Sequence, residues 1–162
     1  MAAQFRHGSF ASLYWSARDC HGLHIPYDGR LTRMIYVPGS LFSVNPVIAC
    51  GVPNLFARNE RVVCVLVSPE HGRFAMVLVG ATIVGSMAAV WHGVVNPKRT
   101  GKVSAWDYAG HYIVLNKGEE MGRFLLGSTT VLLFRKNTIA FNPCWVPERP
   151  VRPGEATGHR PT

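Results

Sequence analysis

Acidic residues are scarce in this chain. Nine Asp and Glu stand against 17 Lys and Arg in 162 residues, which gives a formal charge of +8. A basic surface attracts phosphates, in nucleic acid or in anionic lipid. The basic residues are scattered, however, and neither a dense Lys/Arg run nor a nucleic-acid motif occurs, so no nucleic-acid partner is expected. No Cys-x-x-Cys pair occurs either. The four cysteines, Cys20, Cys50, Cys64 and Cys144, are irregularly spaced and read as free thiols in a reducing compartment. Cys20, His21 and His24 are potential zinc ligands, but the second Cys/His pair of a zinc site is missing, so no metal is expected. Gly8-Ser9 and Gly39-Ser40 do not form the Gly-x-Ser-x-Gly elbow of a serine hydrolase. Residues 1–7 lack the apolar core of a signal peptide. No long stretch has helical periodicity.

What is present suits a β-rich fold. Apolar residues make up 48% of the chain, with 16 glycines and 11 prolines to turn it. The length predicts one domain, large enough to bury a core without staples. Strands are predicted at 10–15, 31–37, 61–67, 74–84, 88–95, 103–106, 111–115 and 124–134, with irregular structure over 41–60. Beyond Asn142 the chain turns Pro- and Arg-rich, so residues 143–162 are expected to be a disordered tail after a domain at 1–142. Residues 74–96 contain no Asp, Glu, Lys or Arg. By length this run is a transmembrane candidate, and the chain would then be a small integral membrane protein. Two buried strands joined at Gly85-Ser86 explain it equally well.

The stretch from Gly118 to Val131 places a Gly127-Ser128 bond at the mouth of an apolar, β-branched run. A serine hydroxyl held against the preceding carbonyl can attack it, so the chain is a candidate substrate for itself. Ser128 also fits an ordinary strand serine beside a bulge glycine. His21 and His24 could supply proton transfers or simply flank a turn.

The sequence resembles the C-terminal half of bacterial phosphatidylserine decarboxylase proenzymes over residues 5–134. The resemblance rests on the blocks at residues 5–10, 18–26, 34–45, 52–61 and 79–86, and on Gly118 through Thr129. It favours buried strands over a membrane span at 74–96. It implies a mainly β fold, a two-sheet β sandwich or barrel-like hybrid with few short helices, incomplete relative to the family. It also implies that the Gly127–Ser128 bond cleaves itself and leaves Ser128 as a pyruvoyl group, the self-generated cofactor. By position in the motif, His24 is the processing base and His21 the acid that protonates the carbanion left by CO2.

The implied reaction is decarboxylation of phosphatidylserine to phosphatidylethanolamine. The implied setting is the cytoplasmic face of the bacterial plasma membrane, with the basic chain docked peripherally on anionic lipid. Met121 and Phe124 are expected to shape the floor near the bond, although core packing also suits Phe124. Asp19 is expected to cap the turn that presents His21. The family's N-terminal half, with its membrane helices and an aspartate that orients the processing histidine, has no counterpart here. Asp28, four residues past His24 in a Pro-Tyr-Asp-Gly run, is a candidate substitute for that aspartate. A separately encoded N-terminal half and a heterodimer of cleaved chains, or a higher oligomer, are the expected partners. The alternative is a truncated, non-processing relative that binds acidic lipid or a partner chain.

Overall fold

The computed structural model describes residues 2–16, 21–82, 86–95, 101–124 and 128–161. In chain order the strands are β1 (Phe10–Tyr14), β2 (Gly22–His24), β3 (Gly29–Val37), β4 (Arg61–Ser68), β5 (Gly72–Val79), β6 (Met87–Ala89), β7 (Gly93–Val94), β8 (Ser104–Asp107), β9 (Val114–Leu115), β10 (Glu120–Phe124), β11 (Thr129–Phe134), β12 (Ala140–Phe141) and β13 (Gly158–His159). Two short helices, α1 (Pro46–Gly51) and α2 (Leu55–Arg58), interrupt the stretch between β3 and β4.

The larger sheet runs β1-β11-β5-β4-β3-β8, with β9 pairing the start of β3. A smaller sheet runs β2-β10-β6-β7, and β12 pairs β13. Every pairing between these strands is antiparallel. The fold is therefore mainly β, as expected, and neither sheet closes into a barrel. One apolar cluster joins the two sheets: Leu23, Met87, Met121 and Phe124 from the smaller sheet pack with Leu31, Met34, Leu66 and Phe74 from the larger.

Local sequence explains most elements. β4 and β5 carry near-continuous apolar runs because they lie centrally and are covered on both faces; Phe74 through Val79 are all buried. β3 alternates, but its phase changes midway. Leu31 is buried and then Met34 and Tyr36, because the register with β4 slips between Leu31 and Arg33. The Thr32 hydroxyl marks the irregularity by donating to the Val65 carbonyl at 3.0 Å. Asn45 caps α1 by accepting the Ile48 amide at 2.9 Å.

Several expectations need adjustment. The run at 74–96 is not one membrane span: β5 ends at Val79, and β6 belongs to the other sheet. Among the described residues no helix is long and apolar enough to cross a membrane. The strand expected at 88–95 is split into β6 and β7 by a turn at Val90–His92, where Gly93 takes a φ of +76°. The strand expected at 124–134 is two strands in different sheets, with Phe124 ending β10 and Thr129 starting β11. Residues 83–85 and the Leu125–Gly127 segment lie outside the described residues.

Residues 140–159 carry one further strand pairing. Asn142 donates its amide to the Thr157 carbonyl at 2.9 Å, and β12 pairs β13. Gly158 allows that pairing, since a Cβ there would lie 2.3 Å from the Ala140 carbonyl oxygen.

A buried polar plug holds the 38–60 segment to the sheet. Asn59 is fully buried, accepts the Phe42 amide at 3.1 Å, and donates to the Phe42 and Gly80 carbonyls at 2.8 Å each. Asn59→Ala strands those backbone groups and is expected to cost about 2–4 kcal/mol in urea unfolding.

Cys64 gives a second test. Burial pushes its thiol up to about 12, whereas an unfolded thiol titrates near ~8.5. Above about pH 9 the unfolded chain therefore binds fewer protons than the folded one, and stability falls as pH rises. Denaturation at pH 8 and pH 10 should show this loss, at up to about 1.4 kcal/mol per pH unit, and Cys64→Ala should lack that component.

Candidate active site

The chain leaves the smaller sheet at Phe124 and enters the larger one at Ser128–Thr129. Ser128 is fully buried. Its carbonyl accepts the Trp15 amide at 2.7 Å, and its hydroxyl donates to the Val79 carbonyl at the end of β5. The serine is thus clamped between β1 and β5 as it enters β11. Thr129, next in sequence, has a buried hydroxyl with no hydrogen-bond partner among the described residues.

β2 brings the histidine motif to the strand that leads into this serine. The Phe124 amide donates to the His21 carbonyl at 3.1 Å, and His24 stands opposite Glu120 across β2 and β10. His21 is partly buried, and its Nε2 is buried without a hydrogen-bond partner among the described residues. The His24 side chain is exposed. Gly22 lies beside both: a Cβ at position 22 would make ordinary contacts of 3.4 Å with His24 Cε1 and 3.6 Å with the Glu120 carboxylate.

Glu120, which sequence reading did not single out, is therefore the acidic neighbour of His24. Its signal lies in strand pairing, which no local motif displays. The Glu120 carboxylate is also bound by Arg123, at 2.8 Å to Nη2 and 2.9 Å to Nε. Asp28, the expected substitute, is engaged elsewhere, since its Oδ1 accepts the Lys117 amide at 2.6 Å. It pins the turn before β10 and makes no described contact with His24. Gly127, Asp19 and Cys20 lie outside the described residues. Met121 and Phe124 are fully buried in the shared core, which agrees with the packing role expected of Phe124.

A cavity of about 410 Å³ opens beside this constellation. His24, Trp15 and Thr130 line it, so it touches the base candidate, the residue hydrogen-bonded to the Ser128 carbonyl, and the strand that Ser128 begins. Its inner wall is apolar and buried, with Leu23, Met76 and Leu132. Tyr27 also lines it and is held by ring contacts: His71 at 3.9 Å, and edge contacts to Phe74 and Phe134 at 6.2 and 6.0 Å. Burial raises the Tyr27 phenol above its ordinary pKa.

The outer wall is the strap from Val151 to Gly158. An ion pair between Arg149 and Glu155 closes the strap on itself. The hydrogen bond from Arg149, and then that from the Arg152 amide, hold the Glu155 carboxyl below its usual range.

These surroundings suit a small ketone derived from Ser128. The residue is buried, Met121 and Phe124 nearby in sequence are apolar and buried, and the Thr129 hydroxyl has no hydrogen-bond partner among the described residues. Among the described residues no cluster of three or more His, Cys, Asp or Glu could hold a metal ion. Cys50, Cys64 and Cys144 are unpaired.

The family model described as phosphatidylserine decarboxylase matches residues 1–159. The chain is 68% identical over 156 residues to the phosphatidylserine decarboxylase proenzyme of Variovorax paradoxus strain S110, covering 96% of this chain and 55% of that protein. It is 65% identical over 158 residues to the proenzyme of Dechloromonas aromatica strain RCB, covering 98% of this chain and 56% of that protein. Against the proenzyme of Herminiimonas arsenicoxydans it is 65% identical over 156 residues, 96% of this chain and 53% of that one. The chain thus spans about half the length of the curated relatives it matches.

The strap's ion pair has a direct test. Glu155→Gln removes it, and the depressed Glu155 carboxyl implies that acidification does the same as pH falls through that group's folded pKa. Hydrogen exchange at neutral pH should quicken over residues 142–158 in Glu155→Gln and stay unchanged in β4 and β5. Uniform exchange in both forms would rule out the pair as the strap's fastening.

Proposed function

This chain belongs to the phosphatidylserine decarboxylase family, and from that premise we propose that it cleaves itself at Gly127–Ser128 and serves in the decarboxylation of phosphatidylserine to phosphatidylethanolamine. The observation that carries the proposal is the buried Ser128, entering β11 beside a cavity that His24 lines, with His21 hydrogen-bonded to the end of β10.

In the proposed processing, His24 takes the Ser128 hydroxyl proton. The freed Oγ leaves the Val79 carbonyl and attacks the Gly127 carbonyl carbon, and the former amide nitrogen picks up a proton. The resulting ester links Gly127 to Ser128 Oγ. Loss of the Ser128 Cα proton breaks the Cβ–Oγ bond, so Gly127 departs as a carboxylate and residue 128 becomes dehydroalanine. Tautomerisation and addition of water then release ammonia and leave a pyruvoyl group. That ketone supplies an electron sink for the pair of electrons left when CO2 departs. His21, whose Nε2 has no partner among the described residues, delivers the proton that replaces CO2. The apolar wall of the cavity limits water beside the reacting carbon.

Docking is proposed to be peripheral, at an anionic membrane face on the cytoplasmic side, driven by the charge of +8. A complementary N-terminal portion, which the longer relatives possess, is the proposed partner. A second reading, a non-processing relative that binds acidic lipid or a partner chain, draws on one observation: the Ser128 hydroxyl is engaged with Val79 and not with an imidazole.

Mass spectrometry separates the two readings. The parent chain, supplied with the N-terminal portion, should give pieces ending at Gly127 and beginning with a blocked residue 128. Ser128→Ala should stay whole and form no phosphatidylethanolamine from phosphatidylserine vesicles. His24→Ala should slow cleavage by about 10²–10⁴-fold. An intact parent chain, matching Ser128→Ala, would favour the second reading.

A further inference from the structure

β1 lies at one side of the larger sheet and pairs only with β11 among the described residues. The register fixes which of its backbone groups are in use. The Trp15 amide donates to the Ser128 carbonyl at 2.7 Å and the Phe134 amide to the Ser9 carbonyl at 2.8 Å, so the odd-numbered residues along β1 face β11. The N–H and C=O groups of Phe10, Ser12 and Tyr14 therefore point the other way, where no strand lies among the described residues. The side chains of the same three residues share one exposed face, Phe10 at 66% and Tyr14 at 45%, whereas Ala11 and Leu13 pack against the core.

Native sheets blunt their edges with short strands, charges, prolines or bulges, because a bare edge is a template for another strand. The other edges here follow that rule. β8 has four residues and ends in Asp107, β2 has three residues and β7 has two. β1 is the longest of these edge strands, with five residues, Phe-Ala-Ser-Leu-Tyr, none of them charged or proline. Its register with β11 runs one to one, without a bulge. Such an edge is suited to being paired.

We propose that β1 is a strand-addition site, and that its occupant is an extended segment of the N-terminal portion that the longer relatives possess. Length selects that occupant: the match takes in 55% of the Variovorax paradoxus proenzyme and 56% of the Dechloromonas aromatica one, so over two fifths of each lies outside it. The incoming segment bonds to the backbone of Phe10, Ser12 and Tyr14 and sets alternate side chains against the two aromatic rings. Trp15, next after β1, carries the consequence. Its amide holds the Ser128 carbonyl, so pairing along the outer side of β1 fixes the serine for attack on Gly127 and makes processing wait for the partner. The identity of the partner rests on the decarboxylase reading; the bare edge does not.

The test co-expresses the whole chain with a tagged N-terminal portion of the Variovorax paradoxus proenzyme. It reads the yield of chain that co-purifies and the fraction cleaved at Gly127–Ser128. Ser12→Pro removes an outward N–H and leaves the bonds to β11 in place, whereas Ala11→Pro removes an inward one. Ser12→Pro should lower both yield and cleaved fraction at least about fivefold while keeping native circular dichroism. Ala11→Pro should instead lower the melting temperature of the chain by itself. The double variant Phe10→Lys, Tyr14→Lys touches no backbone bond and should match Ser12→Pro in both readouts by at least about fivefold. Val103→Lys, an exposed residue beside the opposite edge at β8, should change neither by more than about twofold.

Co-purification unchanged in both Ser12→Pro and the double lysine variant would overturn the strand-addition site, as would a parent chain that does not co-purify. A β1-dependent dimer of the chain that persists beside the N-terminal portion would overturn the choice of occupant in favour of a second copy. Capture that depends on β1 but yields no cleavage sinks the self-cleaving decarboxylase reading alone. Normal cleavage in both β1 variants sinks the strand-addition site alone.

Discussion

The arrangement depends on one passage of chain, the step from the smaller sheet to the larger between Phe124 and Ser128. Both ends of the step are fixed by backbone hydrogen bonds. Phe124 is tied to His21 on one side, and Ser128 to Trp15 on the other. The Ser128 hydroxyl is held in addition by Val79. Because β10 and β11 belong to different sheets, a break between them removes no strand-to-strand hydrogen bond. β11 stays between β1 and β5, with five aligned residue pairs on one side and six on the other. A chain cut at this step keeps its pieces together, which a self-cleaving enzyme requires if both pieces are to build one site.

The polar interior serves the same region. Asn59 ties the loop after β3 to Gly80, the residue that follows Val79, and so anchors the strand end that holds the serine. Glu60, also buried, accepts the Tyr36 hydroxyl at 2.9 Å. These partners are satisfied, and they stiffen the rear of the site. Near the serine in sequence or across the sheet, the hydroxyls of Thr129 and Thr130 and the Nε2 of His21 are buried without partners among the described residues.

Much of the architecture was legible in the residues. The apolar runs of β4 and β5 and the alternation of β3 identify strands because burial on one or both faces imposes those patterns. Other features depend on distant partners. The phase change in β3 follows from its pairing with β4, and no residue at Thr32 announces it. The break at Val90–His92 needed weight on Gly93, whose positive φ turns the chain, against an otherwise apolar run. Asn45 caps α1 in the structure, but a six-residue helix is too short to display a period, and 41–60 reads as irregular. The contacts of Asn142, Arg149, Glu155 and Gly158 are ones that the Pro- and Arg-rich composition beyond Asn142 does not register. In the site, Ser128, His21 and His24 were visible as motif residues. Glu120 was not, since sheet pairing sets it opposite His24, and neither were Lys117 and Arg152, which the fold brings to the cavity wall.

The origin of the oxygen atoms at the cut tests the central claim most directly. If Ser128 Oγ attacks Gly127 and the ester is then lost by elimination, both oxygens of the new Gly127 carboxylate come from the chain, and water enters only the group formed at residue 128. Processing carried out in oxygen-18 water, with each piece weighed by mass spectrometry, should give an unlabelled piece ending at Gly127 and a label on the piece that begins at residue 128. Oxygen-18 in the Gly127 carboxylate would mean ordinary hydrolysis of the peptide bond and would contradict the account.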